Sequence, residues 1–159
     1  MNEIEAVATC PDDTVETLSQ EIKDLGGLEV FSGHKAVHFR ATKKIFYRCH
    51  LQLSTASSLL QVIQSFPVDS LDYLSRRSRH IRWQKILRAD RSFRVDVVLT
   101  EKGKGVPKSN DISKAVRGAI ESTFKKTPPP PVQLKDTDII VVVHYNRKKT
   151  TISLKTSGD

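Results

Sequence analysis

The alternation of hydrophobic and polar positions over the first 66 residues predicts a series of strands and helices. Residues 4–9 alternate apolar and polar side chains, which is typical of a strand with one buried face. Residues 13–25 instead carry apolar side chains at helical spacing, begin with the capping box Asp13-x-x-Glu16 and end at two glycines. The remaining elements are two strands that turn at Ser32-Gly33, a helix capped by Thr42 and a last strand, over the ranges 28–31, 36–41, 42–53 and 59–66.

This β-α-β-β-α-β order is that of a ferredoxin-like domain, so the predicted fold class is α+β. The pattern changes after Pro67. A helix over 70–81 and a short helix over 83–87 precede a strand at 93–99 and a Gly-Lys loop at 101–107. An amphipathic helix follows, which Asn110 is expected to cap and whose apolar face ends at Phe124. The prolines 128–131 stop that helix, and the strands 139–145 and 150–155 form a final hairpin.

Charge is distributed unevenly along the chain. Lysine and arginine number 26 against 18 acidic residues, for a net charge of +8. The first 33 residues hold eight of those acids and only one basic residue, Lys23. The positive charge therefore belongs to residues 34–159, which favours a polyanionic partner such as nucleic acid for that part.

Two basic clusters are the candidate binding residues. Between Arg76 and Arg94, eight of 19 residues are basic and Asp90 is the only acid; forked guanidinium groups match phosphate oxygens. The second cluster combines the glycine-bearing loop with the outer face and amino terminus of the following helix, where free N–H groups favour phosphate. The predicted RNA-binding residues are Arg76, Arg77, Arg79, Arg82, Lys102, Lys104, Lys108, Lys114 and Arg117.

Catalytic and metal-binding patterns are missing from the sequence. Neither a G-x-G-x-x-G nor a G-x-x-x-x-G-K-[ST] motif occurs, and no Asn/Asp-Pro-Pro-aromatic loop is present. Cys10, Cys49 and the five histidines do not have zinc-ligand spacing, so no metal site is expected and both cysteines are interpreted as core residues. Trp83 is interpreted as a buried anchor rather than a base-stacking ring. We therefore expect no catalytic activity from this chain itself.

Several short segments together resemble the THUMP-domain RNA-modification proteins, and among them the amino-terminal part of large-subunit rRNA guanine-N2 methyltransferases. The segments ATC (8–10), GG (26–27), VHF (37–39) and LSTAS (53–57) resemble the ferredoxin-like leader of that family. The segments IRW (81–83), SFRVD (92–96), SKAVRGAI (113–120) and ISLKTSGD (152–159) resemble the THUMP domain itself. Each is weak alone, but their order and spacing cover essentially the whole chain.

The resemblance implies a ferredoxin-like domain over 1–66 and an α/β THUMP domain over 67–157. It also implies that the chain docks structured RNA, rRNA above all and also tRNA, for a catalytic domain that uses S-adenosylmethionine and would follow residue 159. No cofactor is expected within this chain. Ser54 and Ser58 stand where relatives often carry arginines, so the resemblance does not extend to an RNA contact from that stretch.

Other functions stay open at the level of sequence. The same leader architecture serves tRNA thiolation and tRNA methylation, and a basic surface also suits protein interaction or ribosome assembly. An acylphosphatase-like activity is disfavoured, because the Gly26-Gly27 and Gly33 turns lack a neighbouring arginine. A monomer is expected. A cytoplasmic location is also expected, because the sequence contains no run of about 20 apolar residues and no secretory signal.

Overall fold

The computed structural model of the chain describes residues 3–87, 91–99, 101, 103–124, 130–132 and 137–156. They form two compact units, Met1–Ile63 and Gln64–Asp159, and the boundary falls within a strand. No helix among the described residues is long and apolar enough to cross a membrane.

The first unit is a four-stranded antiparallel sheet with two helices. Its elements are β1 (Glu3–Thr9), α1 (Val15–Asp24), β2 (Leu28–Gly33), β3 (Ala36–Thr42), α2 (Lys43–Gln52) and β4 (Ser58–Phe66). The strand order is β2-β3-β1-β4, which confirms the predicted ferredoxin-like arrangement.

The core of the first unit follows the predicted periodicities. Alternate residues of β1 and β3, such as Ala8 and Phe39, are buried against Leu18 and Ile22 of α1 and Cys49 of α2. Both cysteines are buried, as predicted, and burial raises the pKa of the Cys49 thiol, which opposes a reactive thiolate.

Two local predictions in the first unit are wrong. The β2–β3 turn lies at residues 34–35 rather than at Ser32-Gly33, because strand pairing continues to Gly33↔Ala36, and Lys35 takes a positive φ. The capping box at Asp13 and Glu16 does not form either. A single turn of 3-10 helix, Asp12–Thr14, precedes α1, and no side chain caps the helix. The end of α1 does follow the glycine prediction, since Gly26 has φ 105° and Gly27 N–H donates to the Ile22 carbonyl over 2.9 Å.

The second unit packs helices on a mixed sheet. Its elements are the last residues of β4, then α3 (Leu71–Arg79), α4 (Trp83–Ile86), β5 (Phe93–Leu99), α5 (Ser109–Ser122), β6 (Ile139–Tyr145) and β7 (Thr150–Thr156). The strand order is β4-β7-β6-β5, with β5 parallel to β6 and β6 antiparallel to β7. Helix α5 crosses between the parallel strands, and its Ser113 hydroxyl donates to the Val95 carbonyl over 3.2 Å.

Helix α5 has the predicted buried stripe but different ends. Its buried residues are Ile112, Val116, Ala119 and Ile120. Asn110 lies inside the helix and does not cap it: the Lys108 carbonyl already accepts from Ile112 N–H, and no side chain caps the start. Phe124 lies beyond the helix end and is partly exposed rather than a core residue.

Trp83 anchors the second unit, as the sequence interpretation held. Its side chain is fully buried, and its indole N–H donates to the Ser78 carbonyl over 2.8 Å. A base cannot stack on a ring that is completely covered, which excludes the stacking alternative.

Candidate nucleic-acid interface

Helices α3 and α5 lie against each other and organise the basic residues of the second unit. Tyr73, near the start of α3, shares a cleft with Arg147, whose guanidinium lies close to Gly105 just before α5. At the other end, the Gln84 amide of α4 donates to the Thr123 carbonyl after α5. The two helices therefore begin at one end of the unit and finish at the other, about 21 Å away along α5.

The cations of the second unit, both those predicted and others that the structure adds, form two sets at these two ends. The first set, which we call the loop–hairpin group, consists of Lys104, Lys108, Arg147 and Lys148. The second set, which we call the helix-end group, consists of Arg79, Arg82 and Lys85. Arg76 on α3 and Lys114 and Arg117 on α5 lie between them. Lys102 lies outside the described residues, and its predicted contact stays a prediction.

A clip between Glu101 and Arg147 fixes the loop–hairpin group. The Glu101 carboxylate accepts from the Arg147 backbone N–H over 2.8 Å and from its Nε over 3.1 Å. Gly103 and Gly105 take φ values of 126° and 83°, a region that side chains rarely adopt, so the loop can return sharply beside the hairpin. The clip therefore holds the loop that carries Lys104 next to the turn that carries Lys148.

This end of the unit also contains an open cleft of about 620 Å³. Its lining residues are Pro67, Val68, Asp69, Tyr73, Arg147 and Lys148. The cleft combines an aromatic ring, a carboxylate and two cations, a set of groups that suits a nucleotide. The predicted RNA-binding set did not include Tyr73, Arg147 and Lys148; the basic turn between the last two strands was the signal that could have placed Arg147 and Lys148 in it.

Arg76 and Arg77 differ in how far their guanidinium groups remain available to bind a phosphate. The Arg77 guanidinium lies 4.7 Å from the Phe66 ring centroid, and its Nη1 donates to the Tyr73 hydroxyl over 3.2 Å. Arg76 is exposed, with its guanidinium carbon 5.8 Å from the Tyr73 centroid. Arg77 therefore acts first as a packing residue, whereas Arg76 keeps its donors toward solvent.

Most of the other cations are exposed and have no ion pair within the part of the chain that the structure describes. These are Arg79, Arg82, Lys85, Lys104, Lys108, Lys114 and Lys148. Arg94, also in the arginine-rich segment, is instead paired with Asp96 through two contacts of 3.0 and 3.2 Å. The first turn of α5 carries Asp111, which opposes anion binding at the bare helix end and leaves Lys108 and Lys114 as the better phosphate contacts.

Among the described residues, the carboxyl groups with a shifted pKa make structural contacts, and side chains able to bind a metal do not cluster. These residues hold no group of three His, Cys, Asp or Glu side chains able to bind a metal ion. Asp138, whose pKa is lowered by hydrogen bonds from the Ser92 backbone and hydroxyl, joins β6 to the start of β5. The perturbed carboxyls of the second unit thus hold strands and loops together.

Glu101→Gln is expected to lower the melting temperature at neutral pH. The Arg147 backbone hydrogen bond, with the guanidinium, lowers the pKa of Glu101 in the folded chain. A depressed folded pKa gives stability that is complete above the ordinary value and is lost as pH falls through the lowered one. The difference between Glu101→Gln and the wild-type chain should therefore vanish in strong acid, which circular dichroism melts across pH would measure. Glu121→Gln, an exposed change at the end of α5, should cost nothing; equal losses in both variants would contradict the clip.

Both units match known protein families. The sequence-family model of the THUMP domain matches residues 68–155, and that of the RlmL ferredoxin-like domain matches residues 5–60. A Ribosomal RNA large subunit methyltransferase K/L from Shewanella sediminis is 31% identical over 89% of this chain and 20% of its own length. The chain thus spans about a fifth of the length of this relative.

Solved structures share the fold at low sequence identity. A predicted N6-adenine-specific DNA methylase from Listeria monocytogenes has a TM-score of 0.83 at 19% identity, covering 99% of this chain and 41% of its own. A 4-thiouridine synthetase in an RNA complex with bound ATP has a TM-score of 0.66 at 12% identity, covering 98% and 42%. At these identities the likeness shows the fold alone.

Proposed function

Because this chain belongs to the THUMP domain family, we propose that it binds structured RNA and presents it to a catalytic domain of a larger RNA methyltransferase. The observation that carries the proposal is the set of exposed lysines and arginines at both ends of the α3–α5 pair that have no ion pair among the described residues: Arg79, Arg82, Lys85, Lys104, Lys108 and Lys148. Such cations bind phosphates and release condensed counterions, which drives association at low salt.

The loop–hairpin group and the helix-end group are about one α5 length apart, so they contact phosphates on separate parts of one RNA. The Glu101–Arg147 clip holds the first group in a fixed geometry, which lowers the entropy lost on binding. Phosphate contacts position an RNA without reading its bases. We therefore propose a docking function with little sequence preference.

The printed names of two similar proteins support the choice of RNA and of methyl transfer within this proposal, whereas guanine-N2 as the target follows only from the resemblance noted in the sequence. The Shewanella sediminis protein is named as a ribosomal RNA large subunit methyltransferase, and the 4-thiouridine synthetase structure contains RNA. We propose large-subunit rRNA as the ligand and guanine-N2 methylation, with S-adenosylmethionine as methyl donor, as the reaction of the larger protein. In this proposal the present chain binds RNA and takes no part in methyl transfer.

The experiment that tests this proposal compares three polyanions by fluorescence anisotropy across a salt series. The probes are an RNA stem-loop with blunt ends, a DNA duplex of equal length and heparin. We expect the chain to bind the RNA more tightly than the DNA, with a log–log salt slope of several units. Equal affinity for all three would mean that the surface binds any polyanion through its charge alone, which would contradict an RNA-binding function. Failure to bind RNA would refute the proposal.

A further inference from the structure

The outer face of α2, in the first unit, exposes the two least buried large hydrophobic side chains among the described residues. Tyr47 is 69% exposed and Leu51 is 74% exposed. The opposite face of the same helix packs normally: Cys49 is buried, and Ile45 and Phe46 contact the core. The exposure is therefore not a consequence of a poorly packed helix.

All charged residues on the same face are basic. Lys43, Lys44 and Arg48 are exposed, and α2 contains no acidic residue. At 100° per residue these cations, Tyr47 and Leu51 fall within an arc of about 140°. Tyr47 and Leu51 lie in the middle of that arc, with Lys43 on one side and Lys44 and Arg48 on the other. We refer to these five residues as the α2 face.

Nothing within the described part of the first unit neutralises the α2 face. Its cations have no ion pair there, although the unit as a whole is acidic. The nearby Glu21 carboxylate is already used, since it accepts from Ser54 and Thr55 after the helix. Lys43 and Lys44 also lie in the first turn, where the helix dipole disfavours cations.

An anionic partner with flat apolar groups would relieve each of these costs. Phosphates pair with Lys44 and Arg48, which are about 6 Å apart along the helix, while a base stacks on Tyr47 and covers Leu51. A fully paired duplex hides its base faces, so the partner must offer unpaired bases. A protein partner would leave the exclusively basic charge of the face unexplained unless it were strongly acidic.

We propose that the α2 face is a second RNA contact, which binds a single-stranded segment by stacking on Tyr47 and by phosphate contacts to its cations. This inference rests on the RNA-binding function proposed above and assigns a further site, in the ferredoxin-like unit. It adds a contact in the first unit to the contacts predicted in the second unit.

The test uses the full chain and two RNAs: the blunt stem-loop, closed by a tightly stacked four-nucleotide loop that offers no free single strand, and the same stem-loop with a five-nucleotide single-stranded extension. Tyr47→Ala should weaken binding of the extended RNA by about five- to 150-fold and leave the blunt RNA unchanged. Phe31→Ala is the matched control, because Phe31 is also an exposed aromatic residue of this unit, at 60%, but lies on β2. Lys44→Ala combined with Arg48→Ala should reduce the salt slope for the extended RNA by about 1.4.

A second readout is photo-crosslinking of 5-iodouridine in the extension, with mass spectrometry expected to locate the adduct at Tyr47. Unchanged binding of the extended RNA by Tyr47→Ala, or the same loss in Phe31→Ala, would overturn the inference while binding of the blunt stem-loop keeps the proposed function. Sedimentation that shows a dimer dissociated by Tyr47→Ala would overturn it in favour of self-association. A wild-type chain that binds neither RNA would refute both proposals.

Discussion

Replacing Lys104, Lys108, Lys114 and Lys148 together by alanine is expected to weaken binding of the blunt stem-loop RNA by more than three orders of magnitude at 0.1 M salt. Each neutralised phosphate contributes about 0.9 to the log–log salt slope, so four lost contacts reduce the slope by about 3.6. If the wild-type chain and the variant bind equally at 1 M salt, this difference in slope makes the variant about 3.6 decades weaker than the wild type at 0.1 M salt. These lysines are exposed and have no ion pair in the described part of the chain, so the fold should be unaffected.

A matched pair of double variants separates geometry from total charge. Lys104→Ala with Lys148→Ala removes two charges that the Glu101–Arg147 clip holds together, and should weaken binding about 60-fold at 0.1 M salt. Lys23→Ala with Lys35→Ala removes the same net charge from exposed positions of the first unit and should change the affinity little. Similar losses in the two doubles would mean that only net charge matters, which would contradict a defined interface.

Trp83→Ala is expected to lower the free energy of unfolding by about 3–5 kcal/mol, the usual cost of emptying a large aromatic site. The side chain is completely buried and is the largest in the core, and its indole N–H satisfies the Ser78 carbonyl. Since small domains are stable by only about 5–15 kcal/mol, this change should bring the second unit close to unfolding.

Urea unfolding followed by circular dichroism would measure that loss, because Trp83 is the only tryptophan and the variant has no indole fluorescence. Lys85→Ala on the same short helix is the control, and an exposed change of this kind should cost less than about 0.5 kcal/mol. A loss below 1 kcal/mol in Trp83→Ala would contradict its role as an anchor. In the wild-type chain, RNA should leave the Trp83 fluorescence nearly unchanged.

Much of the fold was predictable from the sequence because its elements have clear periodicities. The apolar stripe of α1, the alternation in β1 and β3 and the stripe of α5 each identify a buried face without knowledge of the partner. The errors occur at element ends. The β2–β3 turn moved by two residues because cross-strand pairing continued, and α5 began before Asn110 because its backbone satisfied the first turn without a side-chain cap.

The candidate site was predictable only as a set of residue types. The charge pattern identified Arg76, Arg79 and Lys104, but it treated Arg77 as equivalent to them. Packing of Arg77 against Phe66 depends on two elements meeting in space, which no local pattern reports. The same holds for Tyr73 and Lys148, which line one cleft although 75 residues separate them in the chain.

The sequence by itself determined the α+β class, the two-part order of elements, the buried positions of Trp83 and the cysteines, and the basic character of the second unit. Those properties depend on periodicity and composition, which are local or additive. Only the tertiary structure decided which cations share a surface, because the Glu101–Arg147 clip and the α3–α5 contact join segments far apart in sequence. The tertiary structure alone also showed that Tyr47 and Leu51 are exposed beside three cations. A helical stripe in the sequence indicates which way the side chains point, but it does not show whether another part of the protein covers them.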